Sequence, residues 1–171
     1  MKAGSSTGLE PRRYNLDVRY WLMKTEPDVF SINHLRQSSN ATAGWDGVRN
    51  YLARNHMREM KLEDGVLFYH SRATPPGVVG IARVAQEAHT DITQFDPSSD
   101  YYDPKSTLEN PRWIQVCLRF EQEFPMLPLD DLRQDPKLKG MTLVQKGSRL
   151  SVQPVSAAHW KHILKLAGVN G

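Results

Sequence analysis

The residues best suited to chemistry concentrate between Trp45 and Met60, WDGVRNYLARNHMREM. This stretch carries Arg49, Arg54 and Arg58, the amides Asn50 and Asn55, and His56, behind Trp45 and an Asp46-Gly47 turn. A helix built only to pack does not need that assortment, so the stretch reads as one wall of a binding pocket. Its side chains suit a flat, polar, partly aromatic ligand such as a nucleobase. Trp21, Trp45, Tyr101 and Tyr102 can stack on a base, an interaction worth about 1–3 kcal/mol per base in single-strand binders. Asn50, Asn55 and Glu26 can meet a base edge. Lys24, Arg49 and Arg54 can meet phosphates. A base read alone in a pocket must first leave its stack.

Other chemistries lack their residues. There is no phosphate-cradling Gly-x-x-x-x-Gly-Lys, no Gly-x-Gly-x-x-Gly and no Gly-x-Ser-x-Gly elbow. His159 and His162 share a helix with no evident third ligand, so no metal and no cofactor are expected. Glu26 and His70 could act as acid and base, but no nucleophile–base pairing is legible. A non-catalytic binding module is therefore the leading reading. An RNA-binding module for modified tRNA or rRNA is the second, and an enzyme acting on a nucleotide or small molecule the third.

Composition sets the outer limits. A chain of 171 residues, 39% hydrophobic and 24% charged, fits one soluble domain of the usual size, about 100–200 residues. No apolar run approaches the ~18 residues of a membrane span, and residues 1–18 lack the apolar centre of a secretory signal. Cys117 is the sole cysteine, which excludes an internal disulfide framework. A net charge of +3 permits a nucleic-acid partner without requiring one. The oligomeric state is left open.

The elements that must position these groups follow from periodicity. Residues 1–18 read as a flexible tail and 19–171 as a single domain. Tyr20–Met23 is a buried strand, with Lys24, Thr25 and Glu26 at its end before Pro27. Ser31 caps a helix to about Gln37, and 38–44 is a loop. Asp46 could cap the next helix, on which Val48, Tyr51, Leu52, Met57 and Met60 form the apolar group. On that helix Asn50, Arg54 and Arg58 repeat at four-residue spacing.

Val66–Ser71 and Val78–Val84 form an antiparallel hairpin, with Gly80 marking a bulge or a close approach. His70 shares the face of Val66 and Phe68, which suits a hydrogen-bonded core histidine as well as a ligand. A long turn-rich loop from Asp91 to Pro111 carries Tyr101 and Tyr102. Trp113–Phe120 and Arg149–Gln153 are further strands. Pro128 opens a short helix, and Ser156 caps a final one with Trp160, Ile163, Leu164 and Ala167 inward. Five or six strands joined by loops rather than crossover helices describe an α+β domain with a mostly antiparallel, barrel-like sheet.

Seven segments together carry a family resemblance: YWLMKTEP, WDGVRNYLARNHMREM, LFYHS, VVGIARV, YYDPKS, NPRWIQV and RLSVQPVS. They span nearly all of residues 20–168, and the chain resembles the EVE domain family of the PUA-like superfamily, which also holds the YTH and ASCH domains. The resemblance implies a PUA-like barrel with surrounding short helices. It implies non-catalytic recognition of a modified base, notably modified cytosine such as 5-methylcytosine in DNA. By position it implies a pocket of Trp21, Lys24, Thr25, Glu26, Trp45, Asn50, Arg54, Asn55, His70 and Ser71. Arg49, Tyr101 and Tyr102 are expected as loop contacts. Family pockets commonly have serine where Thr25 stands, which keeps the hydroxyl. A eukaryotic member carries a lysine-rich leader that this chain lacks, which implies a bacterial, cytoplasmic setting, or a nuclear one if the source is eukaryotic.

Overall fold

The computed structural model describes residues 18–170; the expected tail lies outside them but for Val18. In chain order the elements are β1 (Tyr20–Thr25), α1 (Ile32–Gln37), β2 (Thr42–Trp45), α2 (Tyr51–Glu59), β3 (Gly65–His70), β4 (Gly77–Thr90), β5 (Ile114–Pro128), α3 (Leu129–Gln134), β6 (Val152–Val155) and α4 (Ala157–Leu166). The strands hydrogen-bond in the order β2-β5-β4-β3-β1-β6. Only β1 and β3 run parallel; the other pairs are antiparallel. The mixed, mostly antiparallel α+β sheet is the one expected, except that it is not closed. Its order ends on β2 and β6, which do not pair.

Each face of the sheet carries its own core. Trp21 and Met23 of β1, with Val66 and Phe68 of β3, face Leu35 of α1 and Met57 of α2. Leu22, Leu67 and Tyr69 alternate to the other side, against Leu132 of α3 and Trp160 and Ile163 of α4. Strands covered on both faces read as unbroken apolar runs, which is why YWLM and VLFY show no polar alternation. The helices obey their local signals. Ser31 accepts from the His34 N–H while His34 Nδ1 accepts from the Ser31 N–H, a capping box with histidine in the usual glutamate position. Ser156 caps α4 by accepting from the His159 N–H, and Trp160, Ile163 and Leu164 are buried as expected.

Three local expectations need correction. Residues 42–45 are a strand rather than loop, because β5 supplies a ladder that a Thr-Ala-Gly-Trp sequence does not announce. The second helix starts at Tyr51, capped by Asn50, whose Oδ1 accepts from the Ala53 N–H at 2.9 Å; Asp46 caps nothing there. That phase buries Ala53 and Met57 and leaves Tyr51 52% and Leu52 54% exposed, so Leu52 is not a core residue. Strands β4 and β5 are also longer than expected and make the most extended pairing in the sheet.

Gly80 is both a bulge and a close approach. The β4–β5 register shifts between Val78 and Gly80, and a Cβ at 80 would overlap Ile32 Cδ1 and the Gln122 carbonyl oxygen. This contact seats α1 on the sheet beside the end of β1. Gly80→Val is expected to lower stability by about 1–3 kcal/mol through overpacking. A urea midpoint equal to wild type would show that α1 is not seated there.

Candidate functional site

A cleft of about 540 Å³ opens where the end of β1 meets the turn between β2 and α2. It is lined by Lys24, Thr25 and Glu26 from the end of β1, by Val29 and Phe30, by Trp45, Asp46, Gly47 and Val48, and by Tyr101. Its floor is an aromatic cluster. Trp45 meets Phe68 edge-on at 5.4 Å and Phe30 edge-on at 6.1 Å between ring centroids. Trp45 is only 8% exposed, so it serves as floor more than as an open stacking face.

The polar groups of the cleft are individually held. The Thr25 hydroxyl donates to the Phe30 carbonyl at 2.9 Å, which leaves its oxygen free to accept. Glu26 pairs with Arg72 at 3.2 Å, both exposed, a contact worth little in stability. Asp46 has its pKa raised, by burial first and by the neighbouring Asp91 second. Lys24 has its pKa lowered by burial and by Arg133. Its ammonium donates to the Ser148 carbonyl at 3.3 Å and lies over the Tyr69 ring. The two-residue period of β1 sends Lys24 toward Tyr69 and the second core, opposite to Thr25.

A buried clamp positions Tyr101. Arg49 donates Nε and Nη2 to the Tyr101 carbonyl at 3.0 and 2.8 Å, Nη1 to Asp91 Oδ2 and the Val48 carbonyl, and Nη2 to Thr93 Oγ1. A guanidinium has five N–H donors, and these contacts occupy them. Arg49 is thus a positioning residue and not a free phosphate contact. Asp91, fully buried, accepts from Gly47 N–H, Arg49, Thr93 N–H and the Thr93 hydroxyl. Burial alone would raise its pKa. The bonds from Thr93, Gly47 and Arg49 outweigh burial and hold the pKa low. Buried Gln94 ties the far end of the loop through the Ser106 hydroxyl and the N–H groups of Arg112 and Trp113. Gly47, at φ +80, receives the Tyr101 ring where a side chain would stand.

The EVE domain model matches residues 19–166. The chain belongs to the EVE domain family. It is 43% identical over 165 residues to mouse thymocyte nuclear protein 1, covering 86% of this chain and 73% of that one. A crystal structure of a Pseudomonas syringae protein superposes with a TM-score of 0.83 at 47% identity, covering 86% of this chain and 99% of the other. The human THYN1 protein, solved in complex with 5-methylcytosine containing DNA, superposes with a TM-score of 0.83 at 36% identity, covering 90% and 99%. The sheet is thus the PUA-like EVE fold.

In this EVE domain the cleft gathers Lys24, Thr25, Glu26, Trp45, Arg49 and Tyr101 from the expected set. The remaining residues stand elsewhere. Trp21 is fully buried and its indole N–H donates to Asp64 Oδ2 at 2.9 Å. Asn50 is a helix cap. Arg54 lies over the Tyr51 ring and donates to the Arg112 carbonyl and to Asn55. His70 accepts the Ile32 N–H on Nε2 at 3.1 Å; burial lowers its pKa and favours the neutral, accepting ring. Ser71 contributes its backbone N–H to the Thr25 carbonyl, and Tyr102 is exposed. Sequence reasoning missed Phe30, Asp46, Asp91 and Gln94 as site builders. Only Asp46 had a usable signal, its place directly after Trp45.

Among the described residues, no helix is long and apolar enough to cross a membrane.

Proposed function

We propose that this EVE domain is a non-catalytic reader that takes a single modified cytosine of DNA into the cleft, flipped out of its stack. The observation that carries the reading is the cleft's mixture of groups. Two carboxylates, Glu26 and Asp46, and the Thr25 hydroxyl line the cleft together with the apolar side chains of Phe30, Trp45 and Val48 and the Tyr101 ring. Carboxylates accept from the cytosine exocyclic amine, and apolar side chains suit a methyl group on a pyrimidine. The volume lies within the roughly 300–1,000 Å³ of small-ligand pockets. The DNA-bound human relative, with its 5-methylcytosine, supports cytosine and DNA as the ligand. A binding role also agrees with His70, whose Nε2 is engaged by Ile32 rather than facing the cleft floor as a base.

Fluorescence anisotropy with matched oligonucleotides tests this. DNA carrying 5-methylcytosine is expected to bind more tightly than unmodified DNA. Tyr101→Ala is expected to weaken the modified complex roughly 5- to 150-fold, the equivalent of about 1–3 kcal/mol of stacking. Equal affinity for modified and unmodified strands would refute base reading. Stronger competition by RNA of the same sequence would move the ligand class to RNA, since the 2′-hydroxyl is the group that differs.

A further inference from the structure

The arginines of this domain divide by partner. Arg19, Arg36, Arg72, Arg83 and Arg119 each have a carboxylate within 4 Å. Arg54, Arg58 and Arg112 have none among the described residues. Tyr51, Arg54, Asn55 and Arg58 fall at i, i+3, i+4 and i+7 on α2, a single stripe of one helix face. Arg54 Nη1 donates to the Arg112 carbonyl at 3.0 Å, so the backbone of the loop before β5 meets the stripe at Arg112. Asp103, which feels the Arg112 charge, accepts the Trp113 indole N–H at 2.7 Å.

The stripe is also continuous with the cleft. Arg49 lies 5.7 Å from the Tyr101 ring and 5.5 Å from the Trp113 ring. Trp113 stacks on Tyr51 at 4.9 Å and 25°. Arg54 then lies 4.7 Å over Tyr51. A continuous chain of cation–ring and ring–ring contacts therefore runs from the cleft rim out to α2. The outer members are accessible: Tyr51 and Arg58 are exposed, Arg54 and Arg112 half-buried. Arg54 has its pKa lowered by burial and then by Arg58, two like charges held near each other without a counter-ion from the protein. Such a band matches the repeated charges of a phosphodiester chain.

We propose that Arg54, Arg58 and Arg112 form a docking band for the phosphate backbone of the nucleic acid whose base enters the cleft. The inference rests on the reading of the cleft as a base site. The band supplies sequence-independent affinity and register, whereas the cleft supplies the choice of base.

The test is the salt dependence of oligonucleotide binding, measured on the full chain with DNA carrying 5-methylcytosine and with unmodified DNA. Arg54→Gln/Arg58→Gln is expected to weaken both complexes by the same factor. It is expected to flatten the slope of log K against log salt by roughly two, about one per lost phosphate contact. Arg58→Gln/Arg112→Gln repeats the test with the Arg54–Tyr51 contact intact. Arg36→Gln/Arg83→Gln, which removes arginines already paired with Glu123 and Glu121, is expected to leave the slope unchanged. A slope unchanged in both band variants overturns the band, as does wild-type binding that shows no salt dependence. A slope that falls while wild type never distinguishes modified from unmodified DNA upholds the band and refutes base reading.

Discussion

Asp91→Asn is expected to cost roughly 3–5 kcal/mol of stability, the range for breaking a buried, hydrogen-bonded charge pair. The carboxylate is fully buried and accepts four bonds, two on each oxygen. An asparagine presents one oxygen and one NH2 in the same space. If the NH2 replaces Oδ1 it faces the Thr93 N–H; if it replaces Oδ2 it faces the Gly47 N–H and Arg49. Either way donors meet donors in the interior. Arg49 loses its counter-ion, and the loop carrying Tyr101 loses its fastening at the cleft. Urea unfolding at neutral pH measures the loss, and a difference under about 1 kcal/mol would remove the clamp from the account.

The same clamp predicts an acid response. Its folded pKa is depressed, so its contribution is fully present above the unfolded aspartate pKa of about 3.9. It is lost as the pH falls through the lower folded value. The gap between wild type and Asp91→Asn should therefore hold steady from neutral pH to about 5 and close in stronger acid. A gap that widens on acidification would contradict the lowered pKa.

The second large effect is expected at Gly47. Its φ of +80 and the Tyr101 ring atoms 2.6–2.8 Å from the site of a Cβ act together. Gly47→Ala faces about 1–2 kcal/mol from the left-handed backbone and must also push the ring away. Ligand binding should fall nearly as far as in Tyr101→Ala, because the ring is displaced from the cleft. A double-mutant cycle separates the two terms. In a Tyr101→Ala background the ring conflict is gone, and Gly47→Ala should cost only the backbone term. Full additivity of the two stability losses would show that the ring does not rest on Gly47.

What could be read from the sequence was local. The capping serines Ser31 and Ser156, the α4 stripe and the hairpin of β3 and β4 are each specified by residues within a few positions of one another. Gly80 was legible for the same reason, since a glycine inside an apolar strand has few other uses. Strands joined by loops indicated the mostly antiparallel sheet, and the seven family segments indicated that it is a PUA-like one. They did not carry side-chain direction. Trp21 and Trp45 are equally aromatic and both near the cleft by chain position, yet Trp21 turns inward onto Asp64, 43 residues away.

Of the stretch from Trp45 to Met60, only its first five residues, Trp45, Asp46, Gly47, Val48 and Arg49, line the cleft. The sequence by itself determined that Arg54 and Arg58 share a helix face, because helical spacing is short-range. Only the tertiary structure decided which residues of the stretch border the cleft. Asn50 is consumed by capping, Arg49 by a carboxylate 42 residues on, and Arg54 by an aromatic band outside the cleft. Those outcomes depend on partners brought together by strand pairing and loop closure. A hydrogen-bonding group's role is settled by whichever partner reaches it first in space, and spacing along the chain carries no record of that.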